Sequence, residues 1–131
     1  MKHFEVVAAI LINGNRVFCA QRKDVGEVAK KWEFPGGKIE MGENHQQALS
    51  REIAEELSVE IAVGDFITTV YHEYSTFAIT MHAYLATVLS GELTLSEHLD
   101  SRWLSRDELT SVDWAPADLP IVERVKDMLH G

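Results

Sequence analysis

"REIAEEL", residues 51–57, places Glu52, Glu55 and Glu56 within five positions, at spacings that gather them on one side of a helix. Like charges three and four residues apart on a helix repel by a few tenths of a kcal/mol per pair. Such crowding has two physical readings: a solvated face that tolerates the repulsion, or a face that receives a cation. Leu49, Ile53 and Leu57, spaced by four, supply an apolar stripe about a quarter to a third of a turn away. One side of this helix can pack while the neighbouring side presents carboxylates.

Working outward, Asn44 can cap the helix, with Gln47 three residues on as its reciprocal partner. Upstream, "WEFPGGKIEMGE" (32–43) contains Pro35, Gly36 and Gly37, which exclude a helix and predict a short strand running into a tight loop. "FEVVAAILI" (4–12) reads as a largely buried strand, "NGN" (13–15) as a hairpin turn, and "RVFCAQR" (16–22) as the returning strand. Residues 23–31 have no clear period and read as a mobile loop. Downstream, 60–74 and 77–89 form a second, longer hairpin about Ser75 and Thr76. A polar loop (91–100) and a short strand, "SRWL" (101–104), follow. Ser105 with Glu108 caps one helical turn, and 116–129 reads as an amphipathic helix with Leu119, Val122, Val125 and Leu129 inward. Strands followed by helices in this order predict an α+β sandwich in one domain over 1–131.

Twelve basic and twenty-one acidic residues give a net charge of -9, which disfavours binding to polymeric nucleic acid or an anionic membrane. A small anionic substrate remains compatible if cations accompany it. The single cysteine, Cys19, lies in an apolar run and reads as a buried structural thiol in a reducing compartment. "VVAAILI" (6–12) is too short for a membrane span and lacks a cleavage site, so the expected location is the cytoplasm. No long exposed apolar segment asks for a partner, and a monomer is expected.

The glutamates belong to a longer pattern. Gly37 is followed by Glu43, Arg51, Glu52, Ile53, Glu55 and Glu56 at fixed intervals, which resembles the Nudix box GX5EX7REUXEEXGU (U aliphatic) across 37–59. Chance matches of this length arise at on the order of one in 10⁸ starting positions. The approach "WEFPGGK" and the ending "WAPADLPIVERV" extend the resemblance to MutT-type hydrolases, and in particular to bacterial CTP pyrophosphohydrolases, over nearly the whole chain. One position departs: Ser58 stands where the box has the Gly that ends the helix.

The resemblance implies a Nudix fold, an α/β/α sandwich with a mixed central sheet. It also implies hydrolysis of a nucleoside triphosphate to monophosphate and pyrophosphate, using Mg²⁺ with Mn²⁺ as the alternative. Clustered carboxylates are hard oxygen ligands that suit this ion. By resemblance the carbonyl of Gly36 joins Glu52, Glu55 and Glu56 as ligands, and Arg51 orients the carboxylates. Glu97, six residues before Trp103, takes the place of the loop glutamate that assists water, with Glu52 as its competitor for general base. Arg22 matches a phosphate-contacting arginine. Phe34 either stacks on the base or sits in the core.

Asp118 is the expected base reader, standing where the 8-oxo-dGTP-clearing type carries Asn. An ionised Asp accepts from cytosine N4, and its competing reading is a helix N-cap. Cytosine nucleotides are therefore the expected substrates. Oxidised purine nucleotides are the alternative, and a catalytically silent nucleotide sensor is a third reading. His98 reads as a loop histidine, Trp32, Trp103 and Trp114 as packing residues, and His72 and His82 receive no role.

Overall fold

A computed structural model describes residues 1–130. The first strand, β1 (Lys2–Asn13), runs through the middle of the sheet and touches three others. It pairs antiparallel with β2 (Arg16–Gln21) at one end and with β4 (Gly36–Lys38) along its middle. On its far side it pairs in parallel with β6 (Phe77–Ser90), which pairs in turn with β5 (Glu60–Glu73). β2 also carries β3 (Trp32–Glu33) and β7 (Asp100–Leu104). The sheet is therefore mixed, as expected.

Why β1 reads as a continuous apolar run is now evident. Ala8 and Ile10 face one core while Val7, Ala9 and Leu11 face another. A strand covered on both faces has no reason to alternate. Helix α1 (His45–Leu57) covers the second face with Ala48, Leu49, Ile53 and Leu57, all fully buried. Burial of each large aliphatic side chain stabilises by about 2 kcal/mol. The first face is covered by 3₁₀ segments at Arg106–Ser111 and Pro116–Asp118 and by α2 (Leu119–Lys126). These layers form the anticipated α/β/α sandwich.

Several local expectations hold in detail. Asn44 accepts from Gln47 N–H at 2.8 Å while the Gln47 side chain accepts from Asn44 N–H at 3.0 Å, a complete capping box. Ser58 adopts the left-handed conformation (φ 59°) of the glycine it replaces, at a cost of about 1 kcal/mol. The hairpin turn falls where expected, on Gly14–Asn15 between paired Asn13 and Arg16, with Gly14 at positive φ. Two expectations need correction. Gly36–Gly37 is a strand, not a loop. In the last helix Leu119 is half exposed and Ile121 takes its inward place, because the 3₁₀ turn ahead of α2 shifts the helical phase. No helix among the described residues is long and apolar enough to cross a membrane.

Candidate active site

The strand at Gly36–Lys38 brings β4 under the carboxylate face of α1. A Cβ on Gly36 would collide with the Val7 carbonyl, and one on Gly37 with the Glu52 carboxylate. Both glycines are needed for close approach, one to the sheet and one to the helix. Where this approach occurs, a cavity of about 990 Å³ opens, and Gly36, Glu52, Glu55, Glu56, Glu97, Arg22, Phe34 and Asp118 all line it. Arg51 stands just behind that wall.

Arg51 organises the outer end of the carboxylate face. Its guanidinium donates to Glu43 through Nε (2.7 Å) and Nη2 (2.9 Å), to Glu52 through Nη1 (2.9 Å), and to the Lys38 carbonyl (3.0 Å). A longer contact reaches Glu55 at 3.3 Å. The paired geometry holds Glu43 below the usual carboxylate range, chiefly through the Arg51 hydrogen bonds.

Glu56 is in the opposite condition. Its Oε2 is buried with no hydrogen-bond partner among the described residues. Burial, followed by the charges of Glu33 and Glu52 and more weakly Glu97, pushes its carboxyl up to about 9. An orphaned buried carboxylate oxygen among like charges, beside a glycine cradle, fits a divalent cation. Among the described residues no three His, Cys, Asp or Glu side chains are arranged to hold a metal ion by themselves. Mg²⁺ takes one or two protein carboxylates and completes its shell with water and phosphate oxygens, so the donors present suit it.

The loop carrying Glu97 is tied to the end of α1. Thr94 N–H donates to the Leu57 carbonyl (2.9 Å) and Ser96 N–H to the Glu56 carbonyl (3.2 Å), satisfying acceptors the helix leaves unpaired. Glu97 itself is largely exposed and pairs with Lys23 at 3.4 Å.

At the other wall, Ala115 N–H donates to the Trp32 carbonyl (2.8 Å) and Ala117 N–H to the Tyr74 hydroxyl (3.0 Å), bringing the "PAD" turn against Phe34. Asp118 is 4% exposed and makes no capping bond; its Oδ2 accepts from Phe34 N–H at 2.9 Å. Burial holds its carboxyl well above the ordinary range, assisted by Glu33. The Phe34 N–H and the charge of Arg22 act in the opposite sense and favour the carboxylate. The Phe34 ring is buried against Trp114, centroids 4.8 Å apart, so Phe34 offers the cavity little ring surface.

Sequence reasoning missed Glu33 and His98. Glu33 accepts from Arg22 Nη1 (2.8 Å) and from His98 Nε2 (2.9 Å), and both line the same cavity. His98 lies in the loop, as expected, but its side chain is buried in the pocket wall. The available signal was a single carboxylate between Trp32 and Phe34, two residues ahead of Pro35. Cys19 is buried as expected, its thiol pushed up to about 12 by burial.

The likeness to known proteins agrees with this geometry. A CTP pyrophosphohydrolase of Escherichia coli (strain K12) is 40% identical over 123 residues, covering 94% of this chain and 91% of the relative. The 8-oxo-dGTP diphosphatase of the same strain is 32% identical over 127 residues, with 96% and 98% covered. Among solved structures, the MutT NUDIX hydrolase from Burkholderia pseudomallei superposes with a TM-score of 0.86 at 25% identity, covering 95% of this chain and 99% of that one. The sequence model of the NUDIX domain matches residues 6–124, and the chain belongs to that family.

Proposed function

We propose that this chain hydrolyses nucleoside triphosphates to monophosphate and pyrophosphate, with cytosine nucleotides preferred. The observation that carries this reading is the buried, unpartnered Glu56 oxygen in a cavity that Gly36, Gly37 and Asp118 also line. A nucleotide spanning the cavity would set its phosphates at the carboxylates and its base at Asp118. The likeness to a CTP pyrophosphohydrolase supports the cytosine preference.

In this reading the Gly36 carbonyl, Glu52, Glu55 and Glu56 would hold Mg²⁺ or Mn²⁺, which would supply charge neutralisation for the phosphates and a more acidic water. Arg51 keeps Glu52 oriented, and Arg22 grips a phosphate oxygen. Glu97 removes the proton from the attacking water as the P–O anhydride bond breaks and pyrophosphate departs. Glu52 is the competing base; retained kcat in Glu97→Gln with loss in Glu52→Gln would transfer the role.

One observation favours a second substrate class. A protonated Asp118 offers a donor as well as an acceptor, as an Asn would, and this suits an oxidised purine edge. The 8-oxo-dGTP diphosphatase relative supports that alternative. The deciding experiment incubates the protein and Mg²⁺ with CTP, dCTP, 5-methyl-dCTP, dGTP, 8-oxo-dGTP, dATP, UTP and ADP-ribose, following monophosphate and pyrophosphate. Glu56→Gln serves as the blank. Faster turnover of the cytosine compounds is the expected result. Preference for 8-oxo-dGTP would install the second reading, and binding without turnover would remove hydrolysis altogether.

A further inference from the structure

Three buried side-chain atoms lack a hydrogen-bond partner among the described residues: Glu56 Oε2, Arg22 Nε and His98 Nδ1. All three residues line the same cavity, and two of them are held by one carboxylate, Glu33. We infer that Glu33 is a positioning residue that holds Arg22 and His98 as a paired donor and acceptor for the nucleotide. This deepens the hydrolase reading and rests on it.

Glu33 Oε1 accepts from Arg22 Nη1 at 2.8 Å and Oε2 accepts from His98 Nε2 at 2.9 Å. Because a carboxylate only accepts, the imidazole in its neutral form carries its proton on Nε2, the form that alkaline buffer selects. Nδ1 is then a bare lone pair, and Arg22 Nε–H is an unspent donor. Phosphate oxygens satisfy Arg22 alone, since they have no proton for Nδ1 in the ionised substrate. A group with both functions, such as a sugar hydroxyl, satisfies either atom. His98 therefore serves the nucleoside part of the substrate and Arg22 the phosphate or the sugar.

The backbone is built around this fork. Glu33 lies on β3 opposite Ala20, and Arg22 directly follows β2 with its N–H bonded to the Lys31 carbonyl. Leu99 N–H, next to His98, donates to the Gln21 carbonyl at 2.9 Å. Three separate chain segments thus meet at one carboxylate, with the His98 side chain only 4% exposed.

Glu33→Gln separates placement from proton direction. The amide oxygen can still accept from Arg22, but the amide nitrogen must donate to His98 Nε2 and drives the imidazole proton to Nδ1. His98→Gln keeps a donor toward Glu33 and removes the Nδ1 acceptor. The experiment combines nitrogen-15 NMR of the imidazole in alkaline buffer, calorimetric binding of CTP without divalent metal, steady-state kinetics with Mg²⁺, and melting temperature.

Expected are an Nε2–H tautomer in wild type and Nδ1–H in Glu33→Gln. kcat/KM should fall about tenfold in both single variants, with weaker metal-free binding and no further loss in the double variant. Melting temperatures close to wild type would exclude a merely structural effect. An Nδ1–H tautomer in wild type, or unchanged binding and kcat/KM in both variants, would overturn the proposal. If wild type hydrolysed no nucleotide, the hydrolase reading alone would fall; tautomer and binding would still decide the fork.

Discussion

The two ends of the carboxylate face on α1 are treated in opposite ways. At the outer end one guanidinium, Arg51, compensates Glu43, Glu52 and Glu55 through several short bonds. At the inner end Glu56 is left with an unpaired oxygen among Glu33, Glu52 and Glu97. The contrast shows how a protein can concentrate negative charge without scattering it. One cation fixes the rotamers from behind, and the deficit is left only where the cavity opens.

Removing the inner charge should have the largest consequence. Glu56→Gln is expected to lower hydrolysis by on the order of 10³-fold, several kcal/mol of lost stabilisation, while raising the melting temperature of metal-free protein in alkaline buffer. Steady-state kinetics and calorimetry check both halves; a variant that stays fully active would erase the contrast.

Disturbing the outer end should cost less. Arg51→Ala is expected to lower kcat by about 10² and stability by about 1–2 kcal/mol, measured by kinetics and chemical denaturation. Arg51→Lys should recover little, because a point charge cannot make the paired bonds to Glu43.

A pH series sharpens the comparison without mutation. The Glu56 carboxyl is raised from 4.5 to about 9, so between these values the folded chain keeps a proton that the unfolded chain has released. Metal-free stability attributable to Glu56 therefore falls as pH rises through that window and levels off above it. Melting curves with a chelator should show this slope, and Mg²⁺ should flatten it. Persistence of an equal slope in Glu56→Gln would assign it to another group.

The smallest effect lies beyond the inner end of the helix. Ser58→Gly should stabilise by about 1 kcal/mol, read by denaturant titration, with kcat unchanged.

Spacing-coded features were legible in the chain. The glutamates, their partner Arg51, the Asn44–Gln47 cap and the two hairpins each depend on residues close in sequence, where 3.6- and 2-residue periods apply. What escaped depends on tertiary placement. Glu33 and His98, 65 positions apart in sequence, meet through strand pairing that no local pattern records. The burial of Asp118, with Glu33 nearby, raises its carboxyl above the ordinary range through tertiary placement, whereas its sequence neighbours suggest a helix cap. Leu119 and Ile121 were exchanged because a 3₁₀ turn consumes fewer residues per turn than the α-helix assumed for that stretch.

The parallel pairing of β1 with β6 sets a constraint on how the chain is made. Lys2 meets Phe77 and Leu11 meets Ala86, so the central strand emerges from the ribosome long before its partner exists. Early synthesis can form the β1–β2 hairpin, but Val7, Ala9 and Leu11 stay uncovered until α1 has followed, and the long edge of β1 stays open until β6 is complete. Late, non-local closure slows folding and exposes an apolar edge to other chains. Nascent chains stalled between α1 and β6 should therefore be the aggregation-prone species, while chains released after β6 can close the sheet.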